Sequence, residues 1–228
     1  MAGSRPFNPA PAIRGSRRRI GLLGGSFNPA HAGHRHISLQ ALKCLGLDEV
    51  WWLVSPQNPL KPRAGMAPFA ERVARAKVLA RHPRIKVSDI ELRLGTRYTA
   101  DTLVALRRRF PRYRFAWLMG ADNLKQLPRW RNWDRIFMEV SIAVFDRPSY
   151  SFDVLAGKAA RRFWRFRVRP RRAKRIADLR PPAWVFLFIP LHPASASAIR
   201  AGRYGAQANQ PKGDPNHSTT QEKAVHPR

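Results

Sequence analysis

The sequence predicts an α/β fold, a doubly wound, mostly parallel sheet with helices on both faces, and three observations carry that prediction. Short apolar runs alternate with segments of helical spacing along most of the 228 residues. Most of the runs, such as Ile20 to Leu23 and Glu49 to Ser55, read as buried strands, and the exchange of strand and helix implies a mostly parallel sheet. Hydrophobic residues make up 44% of the chain, enough for one sizeable core.

Taken in order, Ile20 to Leu23 is the first strand, and Ile37, Leu39, Ala41, Leu42 and Leu45 mark the first helix. Glu49 to Ser55 is a second buried strand. The loop Pro56 to Pro68 carries Asn58 and Lys61. Helical spacing returns from Phe69 to Leu79, and Ile85 to Ile90 alternates as a third strand. The next helix runs from Thr99 to Phe110, with Thr99 and Asp101 as cap or first-turn residues and Pro111 as its stop. Tyr113 to Met119 is the fourth strand. Gly120 to Leu124 turns into a short helix, the Trp130-Arg131-Asn132-Trp133 region follows, and Ser141 to Phe145 and Trp184 to Pro190 complete the set. Ligands of such sheets bind at the carboxyl ends of the strands, so Gly25, Ser55, Gly120 and Leu191 should meet along one edge.

One main domain is expected over residues 19–206. Residues 1–18 hold four arginines, three prolines and no acid and read as a disordered leader, and residues 207–228 read as a disordered polar tail. No apolar run is long enough to span a membrane and no signal-peptide core is visible, so a cytoplasmic protein is expected. The lone cysteine, Cys44, cannot form an internal disulfide.

Forty-three Lys and Arg stand against 14 Asp and Glu, a formal charge of +29 that favours anionic partners. An arginine-rich genome would produce the same bias without any binding role. Within residues 161–180, Phe163-Trp164-Arg165-Phe166-Arg167 interleaves aromatics with cations, as a single-stranded nucleic-acid surface does. We take the alternative here: an amphipathic segment with packed aromatics and solvated arginines, so that nucleic acid is not required.

The chemistry is concentrated in Gly24-Gly25-Ser26-Phe27-Asn28-Pro29-Ala30-His31-Ala32-Gly33-His34, a passage from a buried strand into a helix start. The first amides of a helix lack internal partners and the macrodipole adds positive potential, so this is a place for phosphate. The glycines are not spaced as GxGxxG, and no Gly-Lys-Ser/Thr follows. A metal site would need a third ligand besides His31 and His34, and none is apparent.

This HxGH block, with the preceding Gly-Gly-Ser-Phe-Asn-Pro, resembles the bacterial nicotinate-nucleotide adenylyltransferases of the wider nucleotidyltransferase superfamily. Three further blocks extend the resemblance over about residues 19–204, weakest between Asp153 and Pro182. They are Tyr98 to Leu103, Met119 to Leu124 continuing to Trp130 and Trp133, and Ser195-Ala196-Ser197-Ala198-Ile199-Arg200. The resemblance implies a Rossmann-like fold and transfer of AMP from ATP to nicotinate mononucleotide, giving deamido-NAD and pyrophosphate. It also implies roles: His31, His34 and Arg200 as catalytic residues, and Gly24, Gly25, Ser26, Phe27, Gly33, Gly120, Asp122, Ser195 and Ser197 around ATP. Asn28, Lys61, Thr99 and Trp130 would serve the nicotinate nucleotide. Magnesium would enter with ATP, and no protein ligand to it is expected.

The residue chemistry agrees. A nucleotide phosphate is already anionic near neutral pH, so no general base is needed, and the work is to hold two polyanions in line and stabilise charge on the α-phosphoryl group. An enzyme using nicotinamide mononucleotide or another phosphate acceptor, and a basic nucleic-acid-binding module with a vestigial site, are the alternatives. A fragment of a class I aminoacyl-tRNA synthetase would share the histidine motif but should be longer and carry a Lys-rich second signature.

Overall fold

The computed structural model describes residues 17–57, 64–147, 153–194 and 196–200. Six strands pair in parallel into one sheet: β1 (Arg19–Gly25), β2 (Glu49–Val54), β3 (Ile85–Ser88), β4 (Arg114–Gly120), β5 (Ser141–Phe145) and β6 (Trp184–Leu187). Their spatial order is β3-β2-β1-β4-β5-β6. The chain first winds outward from β1 to β3, then returns to place β4 on the other side of β1. A crevice therefore opens between the carboxyl ends of β1 and β4. The register levels those ends, with Gly25 opposite Val54 and Gly120 opposite Phe145.

The helices are α1 (Ala32–Cys44), α2 (Phe69–Ala80), α3 (Ile90–Arg93), α4 (Thr99–Arg109), α5 (Ala121–Gln126), α6 (Trp133–Glu139), α7 (Lys158–Arg162) and α8 (Ala196–Arg200). Because successive strand residues point to opposite faces, the core divides into two layers. On one face Ile20, Trp51, Trp117, Val144 and Phe186 pack under α4 to α7. On the other, Leu23, Trp52, Leu118, Phe145 and Val185 pack under α1, α2 and a 3₁₀ segment over Pro170–Asp178. This is the doubly wound sheet expected. None of the described helices is long and apolar enough to cross a membrane.

Several boundaries differ from expectation. The third strand stops at Ser88, because Ser88 Oγ accepts the Ile90 N–H and starts α3, so Ile90 is helical. The sixth strand stops at Leu187, whose carbonyl accepts the Asp146 N–H just past the end of β5, and Phe188 stands exposed. Thr99 is the first helical residue of α4, and its cap position belongs to Tyr98. Arg18, assigned to the leader by sequence, is tied to the sheet: its carbonyl accepts the Arg114 N–H and its guanidinium pairs with Glu49 at 3.0 Å. In the basic segment, Phe163 packs face to face on Phe137 as expected, but Trp164 and Phe166 do not pack and are 65% and 44% exposed. Residues 1–16, the polar tail, Asn58, Lys61 and Ser195 lie outside the described residues.

Candidate active site

The loop from β1 to α1 is built around Phe27. Its φ of 48° lies in the left-handed region, which costs a side-chain-bearing residue about 1–2 kcal/mol. Burial compensates. The ring is 2% exposed, stacks on Trp52 at 5.1 Å and meets the His34 ring at 4.6 Å. Asn28 then uses both ends of its amide to hold a neighbouring loop, donating to Gly65 O (3.0 Å) and accepting from Ala67 N (3.2 Å). Its side chain, assigned by the resemblance to the nicotinate nucleotide, is thus occupied in joining two loops.

A residue that sequence did not single out fastens the same region. Arg72 of α2 is 2% exposed, and its guanidinium donates to the carbonyls of Ser26, Ser55, Pro56 and Ala67. Burial lowers its pKa. The planar fork thereby gathers the chain leaving β1, the chain leaving β2 and the entry to α2.

His31 and His34 bracket the first turn of α1, with ring centroids 3.8 Å apart and His31 only 3% exposed. The His31 backbone N–H donates to His34 Nδ1 at 3.2 Å. A backbone amide can only donate, so Nδ1 must accept, and the proton of neutral His34 resides on Nε2. The bond thereby selects a tautomer able to donate from the far side of the ring. Ser38 Oγ caps the His34 carbonyl and receives the Trp52 indole N–H, which fixes α1 against β2.

Gly33 explains why the motif needs glycine between the histidines. A Cβ there would lie 2.7 Å from Ala194 O and 2.9 Å from His31 Nδ1. The first turn of α1 therefore touches the backbone that leads into α8. Two other contacts secure that approach: Arg200 Nη1 donates to Asn28 O (2.6 Å), and His36 Nε2 lies 2.6 Å from Pro190 O. The first and last sequence blocks, more than 160 residues apart, meet here. Ser197 lies on α8.

Across the crevice, Gly120 ends β4 and Asp122 lies in the first turn of α5. Arg147, just past β5, reaches over them. Its Nε is 3.7 Å from Asp122 Oδ1 and its Nη1 donates to Ala194 O at 3.3 Å. Both Arg147 Nε and Asp122 Oδ1 are buried without a hydrogen bond, and a Cβ on Gly120 would meet both side chains. Sequence does not single out Arg147, although it is the second residue after the Ser141–Phe145 strand, at the same edge as the assigned glycines.

The remaining assigned residues cluster to the side. Thr99 opens α4, and the Arg131 guanidinium lies 4.7 Å over the Tyr98 ring, which brings the Trp130 segment beside the start of that helix. Trp130 and Trp133 are both half-buried against the same core layer, and Trp133 packs edge-on against Phe137 and Phe163. Nearby a cavity of about 290 Å³ is lined by Pro56, Gln57, Glu91 and Thr96 among others. Glu91 is pushed up to about 7 by burial, opposed by hydrogen bonds with Ser55 and Thr102. Among the described residues no group of three or more His, Cys, Asp or Glu is arranged to hold a metal ion.

A model of the cytidylyltransferase-like family matches residues 22–202. A protein of Cereibacter sphaeroides named as a probable nicotinate-nucleotide adenylyltransferase is 56% identical over 186 residues, covering 81% of this chain and 98% of its own. The chain belongs to the nicotinate-nucleotide adenylyltransferase family. A Bradyrhizobium relative of the same name is 57% identical over 169 residues, 74% of this chain and 88% of its own. Among solved structures, the Plasmodium falciparum nicotinic acid mononucleotide adenylyltransferase complexed with NaAD superposes with a TM-score of 0.62 at 17% identity, covering 81% of this chain and 83% of that one. At that identity the likeness is one of fold.

Proposed function

We propose that the crevice between the carboxyl ends of β1 and β4 transfers AMP from ATP to nicotinate mononucleotide, forming nicotinate adenine dinucleotide and pyrophosphate in NAD synthesis. The observation that carries this reading is the contact of Gly33 with Ala194, which joins the HxGH turn to the Arg200 segment around one volume. An oxygen of the acceptor phosphate attacks the α-phosphorus, the bond to the bridging oxygen of the β-phosphate breaks, and that oxygen leaves with pyrophosphate. The nucleophile is already ionised, since a phosphate monoester has its second pKa near about 6. The protein therefore supplies position and charge rather than a base.

His34 donates from Nε2 to an α-phosphoryl oxygen, where charge grows as the bridge opens. His31 and the first amides of α1 hold the adjoining phosphates, and Arg200 offers a fork to the β- and γ-oxygens, aided by Ser195 and Ser197. Lys61 contributes to the acceptor site. Asp122 and Gly120 border the ATP ribose, and Arg147 holds Asp122 in register with Ala194. Magnesium would enter with ATP and would supply neutralisation of phosphate charge there. The setting is the cytoplasm, where ATP and the acceptor are available.

The acceptor lies between the start of α4 and Trp130, with the pyridine ring stacked on the indole. The backbone N–H groups that open α4 and the positive surroundings favour a carboxylate over an amide, whose NH₂ would face donors. Mixing the protein with ATP, magnesium and either nicotinate or nicotinamide mononucleotide tests this. We expect dinucleotide and pyrophosphate from both, with the higher kcat/KM for the acid. Equal efficiency would overturn the acceptor assignment, and no product from either would overturn the function.

A further inference from the structure

Ten of the twenty residues from 161 to 180 are Lys or Arg, and all ten are exposed. The only acid among them, Asp178, is taken by Arg19 at 2.9 Å. None of the ten makes an ion pair with a described residue. Within this field stand Trp164, 65% exposed, and Phe166, 44% exposed. Leaving an indole in water forfeits the burial that normally keeps large aromatics inside, so its exposure beside so many cations asks for an occupant.

The two rings are presented on a rigid base. Trp164 to Phe166 form a single 3₁₀ turn whose preceding residue, Phe163, stacks on Phe137 at 4.0 Å and accepts the Trp184 indole N–H at 2.8 Å. Beyond the turn, Val168 N donates to Trp184 O at 2.8 Å. Arg165 lies 5.8 Å from the Trp164 ring, on a side chain free to reach an anion alongside it. Little ordering remains to be paid on binding.

We propose that this surface binds single-stranded nucleic acid, bases stacking on Trp164 and Phe166 and phosphates pairing with Arg161, Arg165, Arg169 and their neighbours. The surface adjoins Trp184, the first residue of β6, whereas the catalytic groups lie beyond the other ends of the strands. The four residues of β6, a rise of about 13 Å, separate the two ends. A bound strand therefore leaves the AMP-transfer site open, and the two activities can be measured apart.

The test is fluorescence anisotropy of a labelled 20-nucleotide oligouridylate with the intact protein over a salt series. Affinity should fall with salt at a log–log slope of about −3, the release expected for four to five phosphates on a single strand. Trp164→Ala should weaken binding about fivefold or more, in line with the loss of one stacked base, while its kcat for AMP transfer stays at the parent value. Arg169→Glu with Arg171→Glu should flatten the salt slope. Unchanged affinity in Trp164→Ala, or polyglutamate competing as well as oligouridylate at equal charge, would overturn the proposal in favour of a general anion surface or an acidic protein partner. A parent dimer that Trp164→Ala converts to monomer would overturn it in favour of self-contact.

Discussion

Replacing Gly33 by alanine tests the junction between the first and last blocks. The added Cβ would sit 2.7 Å from Ala194 O, where ordinary contact begins at 3.4 Å, so about 0.7 Å of displacement is required. Neither neighbour gives cheaply. Ala194 O belongs to backbone also held by Arg147, and on the other side the Cβ would meet His31 Nδ1 at 2.9 Å. Overpacking of this kind costs about 1–3 kcal/mol, which for a chain of this size lowers Tm by about 4–8 °C at the middle of that range. The catalytic loss should be larger in proportion. A displacement near 1 Å of groups that position reacting atoms can cost about 10²-fold, so kcat should fall by roughly 30- to 100-fold while the protein remains folded at 25 °C. Steady-state pyrophosphate release and a thermal melt on the same preparation measure both quantities. A Gly33→Ala protein with parental kcat and a Tm within about 2 °C would refute the close approach of α1 to the α8 segment.

Other expectations follow from single contacts. His34→Ala should lower kcat by about 10²-fold or more with little change in ATP affinity, because its donation matters most as charge develops; kcat within threefold of the parent would remove it from the mechanism. Arg200→Ala should raise KM for ATP by about tenfold, and Arg200→Lys should recover only part of this, since a point charge replaces a fork; unchanged KM in both would sink the role. Glu91 predicts a pH dependence of stability. The unfolded chain releases this proton near 4.5 and the folded protein near 7, so between those values the folded state holds more protons and stability falls as pH rises, by about 3 kcal/mol in all. Glu91→Gln should remove most of that fall in urea unfolding compared at pH 4.5 and 7.5. An identical pH slope in parent and variant would contradict the buried, protonated carboxyl.

Five of the six strands were legible as continuous apolar runs, the signature of burial on both faces, and the third from its alternation; their exchange with helical spacing leaves few topologies. The ends were less so. Ile90 falls out of phase with Ile85 and Val87, and the Ser88 side chain, accepting the Ile90 N–H, marks the change to helix. The HxGH block was legible because its chemistry is local, one loop and one helical turn. Arg72 and Arg147 were not, because among 43 basic residues a buried guanidinium has no local signature; what distinguishes it is four carbonyls from three separate segments, or an aspartate and a carbonyl from two. Asn28 has a structural part that its place in the motif did not show: its amide ties one loop to another.

The central claim, attack by the acceptor phosphate at the α-phosphorus of ATP within the crevice at β1 and β4, is tested most directly by following label. The intact protein is incubated with nicotinate mononucleotide and ATP carrying phosphorus-32 at either the α or the γ position, and the products are separated. The account predicts α label in the dinucleotide and γ label in pyrophosphate, with transfer of α label reduced by about 10²-fold in His34→Ala. Label from the γ position in the acceptor, or α label retained in ATP by the parent enzyme, would contradict it.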